Sequence, residues 1–285
     1  ESTFINIMIN IIYAVGLNLI LGVAGQFSLG HAGFIAIGSY SGAILGKMMN
    51  GLPGLFAGMA VGVLISVVIA FLVGLPTLRL KGDYLAIATL GVAEIIRVAV
   101  TNMKLTNGAA GISGVPLTNT WTITYIALVL TTILILNYTF SSAGRATYAV
   151  LQDEIAAESM GVQVTKYKIL AFVLGAATAS IGGTLSATTL GAVTPSDFTF
   201  MKSIDVLIIV VFGGIGSFTG SFVAAVLLGI INLVLQPFGQ LRMIIYAVAL
   251  ILIMIFRPGG LLGTWEFKLG DFKFSKKKET KESGK

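Results

Sequence analysis

Residues 141–168, SSAGRATYAVLQDEIAAESMGVQVTKYK, are the one long polar stretch inside an otherwise apolar chain. Runs of about 20 apolar residues flank it, the length a helix needs to cross the hydrocarbon core of a bilayer. A polar, helix-compatible island between two such runs cannot sit in lipid. It belongs in water, where a partner can use it. Asp153, Glu154 and Glu158 share it with Arg145, Lys166 and Lys168, and Gly161 follows where a left-handed helix cap is wanted. Ala146, Ala149, Ala156 and Ala157 give it a low-profile face able to enter a groove, while the acids are offered to arginines of a partner. The plainer alternative is an ordinary amphipathic surface helix.

Working outward, nine segments read as membrane-embedded: roughly 4–24, 29–49, 54–75, 84–100, 120–140, 166–190, 203–218, 219–237 and 242–256. The expected fold class is therefore an all-α polytopic membrane protein. Residues 1–263 make the transmembrane domain, with 141–165 as a cytoplasmic loop inside it, and 264–285 a basic tail expected to be disordered. Segments 84–100 and 203–218 are short for a full span and read as broken or re-entrant helices buried by neighbours. The bias of cytoplasmic loops towards Lys and Arg puts the Lys-rich tail inside. Counting back places 76–83 (PTLRLKGD) and 141–165 inside as well, and 50–53, 101–119 and 191–202 outside. Arg79 and Lys81 agree with that orientation; Lys104 and Lys202 run against it. With nine segments the first residue falls outside, which predicts one further helix upstream.

Composition narrows the function classes. Of 285 residues, 56% are hydrophobic and only 11% charged, which leaves no room for a separate aqueous domain. The net charge of +6 is not a nucleic-acid footprint, because residues 257–285 alone hold eight basic and four acidic residues. Such a tail suits the anionic inner surface of a lipid bilayer. No cysteine and a single histidine rule out disulfides, thiolate chemistry and multi-histidine metal centres, so neither metal nor cofactor is expected. The 35 glycines fit helices that approach one another closely in lipid.

Other motifs carry weaker signals. Residues 213–220, GGIGSFTG, lack the Lys-Ser/Thr of a phosphate-binding loop and lie between apolar runs, so Gly213, Gly214 and Gly216 read as a tight bend in the pathway region. His31 reads first as a histidine hydrogen-bonded to a neighbouring helix or capping a helix end, and second as a group touching substrate or moving protons. Glu94 and Arg97 stand three apart on one helical face and can neutralise each other. Asp205 has only Lys202 nearby and is the better functional candidate. The outer loop 105–116, LTNGAAGISGVP, is either a flexible connection or a compact loop whose glycines permit close backbone approach. Asp83 to Gly91 and Asp205 to Gly213 enclose similar apolar runs, as a faint inverted repeat would.

At this point GRATYAVLQDEIAAESMGVQVTKYKILA, residues 144–171, resembles the cytoplasmic loop of branched-chain amino-acid ABC transporter permeases, of the M-type of their two permease subunits. Further blocks support it: YAVGLNLILGVAGQFSLGHAGF (13–34), GLPTLRLKGDYLAIATLG (74–91), NGAAGISGVP (107–116), VVFGGIGSFTG (210–220) and IFRPGGLLG (255–263). The resemblance implies a non-catalytic permease subunit in a bacterial inner membrane, multi-pass, with its C-terminus cytoplasmic. Its implied partners are two ATP-binding cassette subunits, a second permease and an extracytoplasmic amino-acid-binding protein. It makes 144–161 the segment that couples to an ATPase, with Gly144, Arg145, Asp153, Glu154, Ile155, Ala156, Ala157, Glu158 and Gly161 as its residues. The general importer pattern Glu-Ala-Ala-x-x-x-Gly is approximated by Ile155-Ala156-Ala157 and Gly161, with Ile155 where the glutamate would be. Asn107 stands where a second consecutive glycine is usual. Pathway candidates are His31, Glu94, Asp205, Gly213, Gly214 and Gly216. Two other readings remain: a permease for urea or short amides, and an ion-coupled secondary transporter using Asp205, Glu94 or His31.

Overall fold

A computed structural model describes residues 2–235 apart from 79 and 81, together with 248 and 259–263. The ninth segment apart from Val248, Arg79, Lys81 and the tail 264–285 lie outside the described residues. The described residues are mostly helical, and six of their helices are long and apolar enough to cross a membrane. In order the α-helices are α1 (Ser2–Asn18, continued by a π-helical turn Leu19–Val23), α2 (His31–Met49), α3 (Leu52–Thr77), α4 (Asp83–Asn102), α5 (Trp121–Phe140), α6 (Ser142–Gln152), α7 (Glu154–Ser159), α8 (Val164–Leu190), α9 (Phe200–Gly213) and α10 (Phe218–Leu235), the six spans being α1, α3, α4, α5, α8 and α10.

α1, α2 and α8 form the centre, and most of their residues are buried. Small residues make this possible. A Cβ on Gly38 of α2 would lie 2.0 Å from the Ser180 carbonyl oxygen of α8, so only glycine allows the approach. The same closeness lets Ser39 Oγ donate to the Gly183 carbonyl (2.9 Å) and Thr184 Oγ1 donate to the Gly38 carbonyl (2.9 Å). α3 packs against both α2 and α8, with Gly58 set against Gly42 and Gly62 against Ser180. α3, α4, α5 and α10 present broad apolar surfaces such as Leu64, Ile87, Leu130 and Val234, as helices facing lipid or another membrane subunit do.

Two expectations need revising. Segment 84–100 is no broken helix: α4 is continuous over 20 residues, about 30 Å at 1.5 Å per residue, enough to cross. By contrast α9 has 14 residues and stops at Gly213, so 203–218 is short as expected and its last residues form the bend. The faint repeat does not correspond in structure either. Asp83 and Gly91 are the start and middle of α4, whereas Asp205 lies inside α9 and Gly213 ends it.

The outer loops, named so by the sequence orientation, are tied together. β1 (Ile112–Ser113) pairs antiparallel with β2 (Ala192–Val193). Lys47 Nζ donates to the Ser113 carbonyl (3.0 Å), and the Val115 amide to the Gly191 carbonyl (2.9 Å). Loop 105–116 is thus compact, and the backbone its glycines approach is the other loop. Gly111, at φ +72°, would place a Cβ 2.2 Å from the Val193 carbonyl oxygen. Asn107 occupies the left-handed region at φ +60°, which asparagine tolerates, and its side chain donates to the Gly111 carbonyl (2.9 Å).

Candidate functional site

The polar island folds as two short helices, not one. Ser141 caps α6, its Oγ accepting from the Gly144 amide (3.2 Å). A Cβ on Gly144 would fall 2.3 Å from the carbonyl oxygens of Tyr138 and Thr139, so this glycine makes the elbow out of α5. The buried pair of Tyr138 Oη and Thr147 Oγ1 (2.6 Å) locks the elbow, and Arg145 Nη1 donates to the Phe140 carbonyl at the end of α5 (2.9 Å).

Asp153 breaks the island by adopting an extended backbone. Its Oδ1 accepts from the amides of Ile155 (2.9 Å) and Ala156 (3.0 Å), so this acid starts α7. Glu154 turns inward and pairs with Lys168 of α8 (3.0 Å). Ala157 is buried beneath the helix, so the four alanines do not form one outward face. What α7 shows to water is Ile155, Ala156, Glu158 and Ser159, with Met160 just beyond its end. Ile155 and Met160 are 76% and 83% exposed, unusual for such large apolar side chains. Gly161 has φ +82° and open space where a Cβ would be, the left-handed cap its position asked for.

From α7 a polar chain leads into the core. The Lys168 carbonyl accepts from Gln26 Nε2 (3.0 Å), a fully buried side chain in the non-helical stretch between the π turn and α2. That stretch needs partners for its amides. Thr89 Oγ1 of α4 accepts from Leu29 (3.1 Å), Ser28 Oγ from Gly30 (3.3 Å), and Ser203 Oγ of α9 from Ala32 (2.9 Å). α2 therefore begins inside the protein. His31, its first residue, is buried with its ring edge-on to Tyr13 at 6.5 Å between centroids. Neither ring nitrogen makes a hydrogen bond of standard geometry to a described residue, and the polar group the ring faces is the Tyr13 backbone of α1.

At the end of α1, Asn18 clasps the glycine bend. Its Nδ2 donates to the Ser217 carbonyl (2.8 Å) and Ser221 Oγ (2.9 Å), while Oδ1 accepts from the Gly216 amide (2.8 Å). Gly213 ends α9, Gly214 (φ +118°) and Gly216 (φ +88°) make the turn, and Gly22 packs on the Gly216 backbone. The amides of Leu261 and Leu262 donate to the carbonyls of Phe212 (2.8 Å) and Gly213 (3.3 Å). Sequence reasoning missed Asn18, Gln26, Thr89 and Ser203; the available signal was a polar residue inside an apolar run.

The remaining candidates are dispersed. Glu94 and Arg97 form the expected pair, Arg97 Nε donating to Glu94 Oε2 (2.9 Å), on an exposed flank of α4. Asp205 is exposed on α9 and makes no hydrogen bond or salt bridge to a described residue. Among the described residues no group of three or more metal-ligating side chains occurs.

Known proteins place this arrangement. Residues 1–256 match the model of the permease component of branched-chain amino acid transport systems. The chain belongs to that permease family. It is 37% identical over 290 residues to the high-affinity branched-chain amino acid transport system permease protein LivM of Salmonella typhimurium, covering 90% of this chain and 68% of that protein. The LivM protein of Escherichia coli is 36% identical over the same shares. The LivH permease protein of Escherichia coli matches half of this chain at 30% identity. No solved structure matches. Within the permease family this chain is a multi-pass membrane protein and a transport component, and both α6–α7 and the glycine bend clasped by Asn18 fall inside the matched region.

Proposed function

We propose that this chain is the M-type permease subunit of an ATP-driven importer of branched-chain amino acids. The match over residues 1–256, with LivM relatives covering 90% of the chain, carries this reading. In it a second, LivH-like permease packs against the exposed apolar helices, and the two subunits enclose the pathway. An amino-acid-binding protein delivers substrate at the tied loops around β1 and β2. Two cytoplasmic ATPases drive the cycle, one docking on α7, and this chain hydrolyses nothing itself. It lies in a bacterial inner membrane, embedded there by the nine transmembrane or re-entrant segments of the sequence reading, and its C-terminus faces the cytoplasm.

The docking surface is α7 and its ends. Ile155 and Met160 enter the ATPase cleft, with Ala156 leaving room and Glu158, Asp153 and Arg145 at the rim. Glu154 works from beneath: through Lys168 and Gln26 a push on α7 reaches the start of α2, and through Gly144 and Tyr138 it reaches α5. Gly161 sets the angle at which α7 meets α8. His31, Gly213, Gly214 and Gly216 belong to the region that rearranges.

The test is uptake of labelled leucine by proteoliposomes holding both permeases and both ATPases. Uptake that needs ATP on the ATPase side and the binding protein is expected. Uptake that follows an ion gradient without ATPases would return the chain to the secondary transporters. Uptake of urea or short amides in place of leucine would move the substrate to that class.

A further inference from the structure

Beneath the tied loops lies a cavity of about 240 Å³ between α1, α2, α8 and the segment that follows β2. At about 30 Å³ per water-sized group it takes roughly eight such groups, the bulk of a single valine or leucine and too little for a peptide. Its lining has two characters. The polar side carries Tyr13, Ser39, Ser186, Asp197 and Lys202; the apolar side carries Ile35, Leu190, Val193 and Phe198.

The polar side holds its charges apart and leaves them open to a ligand. Lys202 is partly buried with its Nζ 5.5 Å from the centre of the Tyr13 ring, and it forms no hydrogen bond or ion pair with a described residue. Asp197 is exposed and spends Oδ2 on Thr194, accepting from its amide (2.9 Å) and hydroxyl (2.8 Å), which leaves Oδ1 open to the cavity mouth and to water. The two opposite charges line one small space without forming a salt bridge. The Tyr13 hydroxyl is buried, makes no hydrogen bond of standard geometry, and has the Ser186 side chain as its polar neighbour in the cavity. Lys202 is also one of the two lysines that run against the inward bias of basic residues. An ionisable group kept at such a place in a membrane protein marks a functional site by default.

We propose that this cavity is a binding station for an α-amino acid zwitterion on the outer side of the permease. The carboxylate lies against Lys202 and the Tyr13 hydroxyl, the ammonium against Asp197, and the branched side chain against Ile35, Val193 and Phe198. One ligand thereby engages Lys202 and Asp197 at once and fills the apolar end. A free carboxylate or an amine alone leaves one charge unanswered and binds worse. The station rests on the importer reading and adds a stop within this subunit, after release from the binding protein.

The experiment uses the complete transporter, both permeases and both ATPases in lipid nanodiscs, without binding protein. Equilibrium binding of radiolabelled leucine is measured alongside uptake by the same complex in proteoliposomes. Saturable binding is expected, competed by valine and isoleucine and at least tenfold less well by 4-methylpentanoate or isopentylamine. Lys202→Gln and Asp197→Asn should each weaken it at least tenfold, with Lys202→Arg recovering part of the loss. Val193→Phe, which fills the apolar end and leaves the charges alone, should shift preference towards alanine. No saturable binding to the wild type, or binding unchanged in all of these variants, overturns the station while leucine uptake leaves the importer reading standing. A wild-type complex that does not move leucine at all sinks the importer reading first, and the station with it.

Discussion

Asn18 shows how much one polar side chain can decide in an apolar protein. Three hydrogen bonds fix the end of α1 to the α9–α10 bend, two of them buried and the third, from the Gly216 amide, part-buried. In Asn18→Leu the Gly216 amide loses its partner, at a cost of about 1–3 kcal/mol. Thermal unfolding of the purified complex should show that loss, and Asn18→Ala should do the same if the amide, not the volume, matters. Gly161 is the second decisive residue. Proline cannot take φ +82°, so Gly161→Pro should leave the protein in the membrane at wild-type level and abolish ATP-driven uptake. Normal uptake in that variant would remove α7 from the coupling path. Gly161 was legible from its place after a helical run. Asn18 was not, because its partners come from a distant part of the chain that no local pattern identifies.

The α6–α7 pair changes what carries docking. The acids of the island look like the attraction in sequence, yet Asp153 is spent on starting α7 and Glu154 on Lys168. An exposed ion pair contributes about 0–1 kcal/mol, whereas burying an isoleucine or methionine side chain contributes about 1.5–3 kcal/mol. The apolar tips therefore outweigh Glu158. Ile155→Ser and Met160→Ser should each weaken ATPase binding by roughly ten- to a hundredfold, and Glu158→Gln by less than about fivefold, as measured by co-purification or titration. Glu154→Lys should retain ATPase binding but lower leucine moved per ATP, and adding Lys168→Glu should restore part of it. Helix positions were largely readable because apolar runs are long, and seven segments agree with helices to within a few residues. The break at Asp153 was not: every residue around it favours or tolerates helix, and only the cap geometry shows the stop.

For the whole molecule, orientation is the property to test, and the absence of cysteine makes the test clean. Met160→Cys should react with an impermeant thiol reagent only from the cytoplasmic side, and Ser113→Cys only from the other. Both labelled from one side would invert or undo the arrangement. The glycine content announced close packing, and Gly38 on Ser180 is that packing; Gly38→Val should destabilise the core by about 1–3 kcal/mol. Composition could not say which glycines meet which backbones, nor that charges at Asp197 and Lys202, close in sequence, would share a cavity with α1. Finally, the two-residue ladder between β1 and β2 means that the far side of the protein is one plate, not two loose flaps. In the proposed importer, a binding protein pressing on either half would load the helices that anchor both loops, α4, α5, α8 and α9. The chamber beneath that plate would then feel arrival and departure overhead through the same short ladder.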